Sequence, residues 1–344
     1  MDPVSQGLIG AILPQSVSNK KEIRLAAAIG FLSGLLADID VVIRSSTDSL
    51  LFLDYHRQFT HSLIFIPIGG LVAAGFCWLF LKKRLSFWKI YLYAFLGYGT
   101  HCFLDACTNY GTQLLWPFSD ARVAWNVVSI IDPIFTFTLV FLVIIAVVRK
   151  SPLIARIGLL FAIIYLLFGL YQREKAQDVL LSLAQSRGHE VERVLVHPAI
   201  GNLLVWRLIY ESNGNYYVDA VRAGLFSEPK IYNGDSIKVF DPVQELPGLD
   251  TDSVLYGDIN RFRRFATDFL VIHPEYPDII GDLRMGILPY SIKPIWGIKF
   301  NPDKENEHVS MDNYERSVTG DTIQAFISML LGKELPSEKI HDKK

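Results

Sequence analysis

The first half of the chain alternates long apolar runs with short polar breaks. Six runs stand out, at 4–18, 25–43, 62–81, 88–106, 127–148 and 153–171. Five are long enough to cross roughly 30 Å of hydrocarbon as helices. The first is shorter and contains Pro14, so it reads as a short or tilted span or a re-entrant piece. The pattern changes after 171. Residues 172–187 read as an exposed helix, and short β-type runs follow at 192–196, 203–210 and 216–220. Asn213-Gly214 between the last two is a hairpin signal. Asn233-Gly234 marks another turn, between 230–232 and 236–240. The 261–272 stretch is helix or strand, its apolar residues too dense to decide. Residues 282–286 open a turn or strand, and 322–331 read as a last helix. The expected fold is mainly α: a polytopic transmembrane helix bundle over 1–171, then a soluble mixed α+β domain over 172–332. A polar tail fills 333–344.

Basic residues set the expected orientation. Lys20, Lys21 and Arg24 share one break, Lys82, Lys83, Arg84 and Lys89 another, and Arg149, Lys150 and Arg156 a third. The alternate breaks hold only Arg44, Arg57 and Arg122. The positive-inside rule puts the rich breaks in the cytoplasm, and both ends and the second domain on the opposite, extracytoplasmic side. The start of the chain has no basic region ahead of its first apolar run, so it is not read as a removable signal peptide. The formal net charge of −2 over 344 residues leaves no footprint for nucleic acid. All three cysteines, Cys77, Cys102 and Cys107, lie in the apolar half, so the second half carries no disulfide framework.

That orientation sorts the polar residues of the apolar half. Asp38 and Asp40 end the second run, His56 and His61 precede or open the third, His101 and Asp105 end the fourth, and Asp132 opens the fifth. All fall at the outer level of the bundle. Histidines and carboxylates are costly at such depth and need a partner or a role. His101 and Asp105, four apart, share one face of a helix. Asp38 and Asp40, two apart, reach inward together only where the helix unwinds. Thr60 suits an N-cap or first turn. Nitrogen and carboxylate donors suit a divalent transition metal, Zn²⁺ first, with Mn²⁺ or Fe²⁺ as alternatives. The pool fills one site or two, and an ion with open positions activates water near neutral pH. No thiolate is needed, because Cys102 points about 100° round the helix from His101. Asp132 precedes Pro133 and is as well explained as an N-cap. Arg57 and Arg122 are the candidates for gripping an anion such as phosphate. The 108–118 loop either roofs this cluster or touches headgroups. The second half offers no catalytic constellation of its own. His273-Pro274-Glu275 and Asp282 with Arg284 read as local salt-bridged structure, and a cover or substrate-selecting role is expected.

These residues resemble the inner-membrane metal-dependent hydrolases of the YdjM type. The resemblance rests on 2–10, Ala37-Asp38-Ile39-Asp40, His56-Arg57-x-x-Thr60-His61-Ser62, His101-x-x-x-Asp105, Gly111-Thr112-Gln113 with Pro117-Phe118-Ser119-Asp120, and Asp132-Pro133. Residues 202–206 and Asp282-Leu283-Arg284-x-Gly286 extend it into the second half. It implies a multi-spanning protein of the bacterial inner membrane with metal-dependent hydrolase activity. It also implies distant similarity to zinc-dependent phospholipase C, whose His-x-x-x-Asp helix holds zinc. His101 and Asp105 would fill those roles. Some members have a histidine near Gln6, so a metal role for Gln6 itself is not carried over.

The expected activity is hydrolysis of a phosphoester, lipid-linked or otherwise phosphorylated, at the outer membrane–water interface, with membrane lipids as partners. Asp40, His56, His61, His101 and Asp105 would bind metal, with Asp38 and Asp132 as further ligands or general base. Arg57 and Arg122 would hold the substrate anion. The alternative is a non-enzymatic metal-binding, sensor or transport protein on the same ligands. No inverted repeat supports transport. A membrane metalloprotease ranks last, since His-Glu-x-x-His is absent.

Overall fold

The computed structural model describes residues 1–224, 227–314 and 318–336; residues 337–344 of the polar tail lie outside them. The chain divides into two compact units. The first holds Met1–Ser45, Leu51–Tyr171 and Ile200–Asn202; the second holds Ser46–Leu50, Gln172–Ala199 and the chain from Leu203 on.

The first unit is helical: α1 (Pro3–Val17), α2 (Ile23–Leu36), the short α3 (Leu51–Tyr55), α4 (Ile66–Leu81), α5 (Phe87–Ala106), α6 (Pro133–Arg149) and the start of α7 (Pro152–Ser186). Among the described residues three spans are long and apolar enough to cross a membrane, Ile23–Val42, Leu63–Leu81 and Pro152–Ser186, where the hydrophobic runs suggested five. Two helices fall short for different reasons. α6 begins at Pro133, leaving 127–132 irregular and only 17 helical residues. α5 has 20 residues, but three tyrosines, Thr100, His101 and Asp105 dilute its apolar character. The 153–171 run and the 172–187 helix are one uninterrupted 35-residue helix, α7. Many large apolar side chains face outward, among them Phe76 and Phe80 of α4, Phe137 and Phe141 of α6, and Leu160 and Leu167 of α7. A water-soluble domain rarely presents such a surface, and a bilayer covers it.

Glycines bring α1, α2 and α5 into backbone contact. A Cβ at Gly97 would lie 2.5 Å from the Gly30 carbonyl oxygen, one at Gly10 would lie 2.6 Å from the same oxygen, and one at Gly34 would lie 2.9 Å from that of Gln6. Small residues allow such close approach in apolar bundles. The contact draws the first turn of α1, the end of α2 and the last turns of α5 together.

The second unit carries two antiparallel sheets. In the first, β1 (Arg193–Pro198), β2 (Val205–Ser212), β3 (Asn215–Arg222) and β4 (Lys230–Tyr232) lie in that order, and β5 (Ser236–Lys238) also pairs with β3. Asn213 and Gly214 both have positive φ, 49° and 69°, as a two-residue hairpin turn between β2 and β3 requires. Asn233-Gly234 is not a second hairpin. β4 and β5 run along the same edge of β3, and Gly234 lets the chain break between them against the carbonyl oxygens of Val218 and Tyr290. The second sheet runs β6 (Leu270–His273), β7 (Tyr276–Asp282), β8 (Trp296–Lys299) and β9 (Ser310–Asn313). After β5 come α8 (Pro242–Glu245) and α9 (Val254–Phe265), and α10 (Gly320–Leu330) is the last among the described residues. The ambiguous 261–272 stretch thus splits into the end of α9 and most of β6. Thr267 and Asp268, both at positive φ, make the break. Asp282 and Arg284 form a buried two-point ion pair at 2.9 and 2.8 Å, and Lys293 holds Glu275 at 2.6 Å.

Candidate metal centre

Four elements build the centre. After Leu36, α2 tightens into a 3₁₀ segment, Ala37–Val42, which turns both Asp38 and Asp40 inward. Such tightening is common at helix ends. Phe59–His61 is another 3₁₀ turn and delivers His61. α5 supplies His101 and Asp105 one turn apart on its inner face, and α1 supplies Gln6. The 108–126 loop braces the rest. Gln113 N–H donates to the Arg57 carbonyl at 2.9 Å, Leu63 N–H donates to that of Leu114 at 2.9 Å, and the Tyr98 hydroxyl holds the Thr60 carbonyl at 2.7 Å. Tyr110 lies edge-on to the His56 ring at 5.7 Å and under the Arg57 guanidinium at 4.6 Å, so the loop roofs the cluster at that point.

His61, His101, Asp105 and Asp38 converge. His61 Nε2 lies 3.0 Å from His101 Nε2, 3.4 Å from Asp38 Oδ1 and 3.3 Å from Asp105 Oδ2. His101 Nε2 lies 3.3 Å from Asp38 Oδ1 and 3.5 Å from Asp105 Oδ2. A tetrahedron of donors about 2.0–2.1 Å from a zinc-sized ion has edges of about 3.3–3.4 Å. The outer ring nitrogens explain why these atoms face one another. His101 Nδ1 is 2.6 Å from the Gly34 carbonyl oxygen, which only accepts, so the proton of the neutral ring sits on Nδ1. His61 Nδ1 lies 3.2 Å from Asp40 Oδ2 and 3.0 Å from Thr60 Oγ1, while the Thr60 hydroxyl donates to Asp40 at 2.7 Å. In neutral rings both Nε2 atoms then offer lone pairs, beside two carboxylate oxygens. In these tautomers the four acceptors face one another with no proton between them, and their spacing fits a metal ion. Carboxylate or carbonyl partners on the far ring nitrogen are the usual support of metal-binding histidines.

Further groups surround this set. Asp105 Oδ1 accepts from Gln6 Nε2 at 2.7 Å and contacts the Met1 amine, and Asp105 Oδ2 pairs with Arg57 Nε at 3.0 Å. Gln6 therefore supports Asp105 through its amide. Asp40 accepts from Arg57 N–H at 3.1 Å and bonds His56 Nδ1 at 2.8 Å. Arg57 has a φ of 63°, a strained conformation for a non-glycine residue, which its backbone and side-chain bonds hold in place. Asp38, Asp40 and His56 form a second group of metal-binding type.

Two expected participants have other partners. Asp132 caps α6 by accepting from Phe135 N–H at 3.1 Å, and the Tyr165 hydroxyl meets its carboxylate at 2.9 and 2.8 Å. It belongs to no His/Asp group among the described residues. Arg122 donates to the carbonyls of Leu53 at 2.6 Å and His56 at 3.3 Å, clamping the loop backbone. Thr60 caps no helix, because α4 starts at Ile66 and the Thr60 hydroxyl serves Asp40. No cysteine joins any group among the described residues. Sequence reasoning missed one group, Asp48, Asp258 and His308 in the second unit. Its members are far apart in the sequence and share no motif. Arg261 bridges Asp48 at 2.9 Å and Asp258 at 2.8 Å, so both acids already share a cationic side chain.

The sequence profile of the YdjM inner membrane protein family matches residues 1–176, the stretch that holds every residue of the centre. The chain belongs to the YdjM family. A YdjM-type inner membrane protein agrees with the three apolar spans and the outward-facing phenylalanines. This YdjM-family chain is also 25% identical over 210 residues to the uncharacterized protein YfhP of Bacillus subtilis (strain 168). That match covers 60% of the chain and 62% of YfhP, so the chain spans under two thirds of that relative. No solved structure matches it.

Proposed function

We propose that this membrane protein is a metal-dependent hydrolase acting on a phosphoester, lipid-linked or free, at the outer membrane–water interface. The observation that carries the reading is the meeting of His61 Nε2, His101 Nε2, Asp38 Oδ1 and Asp105 Oδ2 at 3.0–3.5 Å. A divalent transition ion there, zinc being the first candidate, would supply Lewis acidity and activate water. His61, His101, Asp105 and Asp38 hold it, and Asp40 and Gly34 keep the two imidazoles in the binding tautomer. Asp38 is 26% exposed at its side chain, against 0–1% for the other three, so it sits where substrate enters. Arg57 is buried and neutralises Asp105. The extracytoplasmic placement of this level, and of the second unit, rests on the basic-residue pattern.

The test is release of phosphate or headgroup from phospholipid and polyprenyl-phosphate vesicles by the detergent-purified protein. Turnover that needs metal, stops with a chelator and is absent in a folded His101→Ala variant supports hydrolysis. Unchanged turnover in that variant rejects it. A second reading, a non-enzymatic metal-binding or sensor protein, is favoured by one feature. Four protein donors already complete a tetrahedron, as in structural metal sites. Stable metal binding without turnover on any phosphoester would select it.

A further inference from the structure

We propose that the centre holds two metal ions, with Asp38 bridging them and Asp40 and His56 completing the second. This rests on the metal reading above and carries it further. Asp38 belongs to both groups, the one with His61, His101 and Asp105 and the one with Asp40 and His56. A carboxylate has two oxygens, and Oδ1 is the one that faces the two Nε2 atoms. The first group is complete with four protein donors. It leaves no position for a substrate oxygen unless a ligand moves. The second has three, which is the donor count of an open, catalytic site.

Three further observations favour the second site. Side-chain exposure is 0% at His61, His101 and Asp40, 12% at His56 and 26% at Asp38, so the cluster opens on the side of Asp38 and His56. The His56 ring is clamped, stacked on Phe52 at 4.8 Å and edge-on to Tyr110 at 5.7 Å, with Nδ1 set on Asp40 Oδ1 at 2.8 Å. That is a rigid placement for a polar ring at the mouth of a site. The Arg57 guanidinium also lies over the Tyr110 ring, at 4.6 Å, and its charge is spent on Asp105 of the first group. An ion between Asp38, Asp40 and His56 would thus be the one that meets an anionic oxygen. Two bridged ions suit displacement at phosphorus, where attacking and leaving oxygens both carry charge. The ligand class of the open site is accordingly a phosphate or phosphonate oxygen.

Metal stoichiometry tests this on the full-length protein in detergent, loaded with Mn²⁺ or Zn²⁺ and desalted. The proposal expects two ions per chain in the parent, one in His56→Ala and at most one in His101→Ala with Asp105→Asn. Electron paramagnetic resonance of the Mn²⁺ form should show exchange coupling in the parent and the hyperfine pattern of isolated ions in His56→Ala. The milder Asp40→Asn, at unchanged helical circular dichroism, should also lose the coupling. One ion in both parent and His56→Ala, with no coupling, overturns the second site and leaves the first standing. Two ions retained in His56→Ala overturns its ligand assignment. No metal in the parent overturns both readings.

Discussion

His61 and His101 each fix one ring nitrogen on an oxygen of the protein, which commits the other to the centre of the cluster. Thr60 matters through the same logic. Its hydroxyl holds Asp40, and Asp40 orients His61. Thr60→Val removes that hydrogen bond at nearly constant volume. It should weaken metal affinity about 10–100-fold, the usual effect of losing such a supporting partner, while the fold persists. Isothermal titration with zinc in detergent measures it, and affinity equal to the parent's would show that Asp40 is not an orienting group. At this scale the sequence was informative where chemistry is rare. Histidines and aspartates at the ends of apolar runs have few reasons to exist, so Asp38, Asp40, His56, His61, His101 and Asp105 were all legible. Asp132 and Arg122 were harder, because an N-cap carboxylate and a loop-clamping guanidinium look the same in sequence as functional ones. The support that Gln6 gives Asp105 was hidden, since nothing local ties an α1 amide to an α5 carboxylate.

At the scale of elements, backbone contact among α1, α2 and α5 places Gly34 beside His101 and Gln6 beside Asp105. Gly97→Ala puts a Cβ 2.5 Å from the Gly30 carbonyl oxygen, a backbone atom that cannot swing away. The helices must separate, at a cost of about 1–3 kcal/mol. Thermal unfolding in detergent should show a lower midpoint, and metal affinity should fall with it. Gly75→Ala, with nothing within 4 Å, should leave both intact or slightly raise the midpoint. Equal behaviour of the two variants would remove the close-packing argument. The apolar runs revealed where the helices lie but not their ends. Residues 127–132 are apolar enough to read as helix, yet Asp132-Pro133 starts α6 later. Likewise 171 and 172 divide apolar from polar residues without dividing α7, since a helix continues wherever its backbone is satisfied.

The whole molecule joins an apolar helical unit to a polar unit of two sheets, and composition marks the change between them without the exchanged segments Ser46–Leu50 and Ile200–Asn202. What it could not supply was the sheet order, because β4 and β5 share one edge of β3 through a break at Gly234 that resembles a hairpin turn in sequence. The second unit also gives the molecule an acid limit. His197 is buried with Nε2 on the Arg284 carbonyl at 2.9 Å, and burial pushes its pKa down to about 4. Its unfolded value is near 6.5. The unfolded chain therefore binds the extra proton between those values, and stability present above about 6.5 is lost as pH falls towards 4. The loss attributable to this residue is about 3 kcal/mol. Unfolding of the parent followed by tryptophan fluorescence should shift downward over that window. His197→Gln, though less stable at pH 7, should show a flatter dependence there. A slope equal to the parent's would assign the acid sensitivity elsewhere.

The central claim is a metal ion held by histidines and aspartates inside the membrane unit, and elemental analysis of the detergent-purified protein tests it most directly. The parent is measured beside His61→Ala and His101→Ala, each first shown to be folded by circular dichroism and a monodisperse elution. Transition metal at one or more equivalents in the parent, reduced by at least one equivalent in both variants, is the predicted result. No metal in the parent after reconstitution with zinc, manganese and iron, or metal fully retained in both variants, would contradict the account and leave these side chains as polar packing.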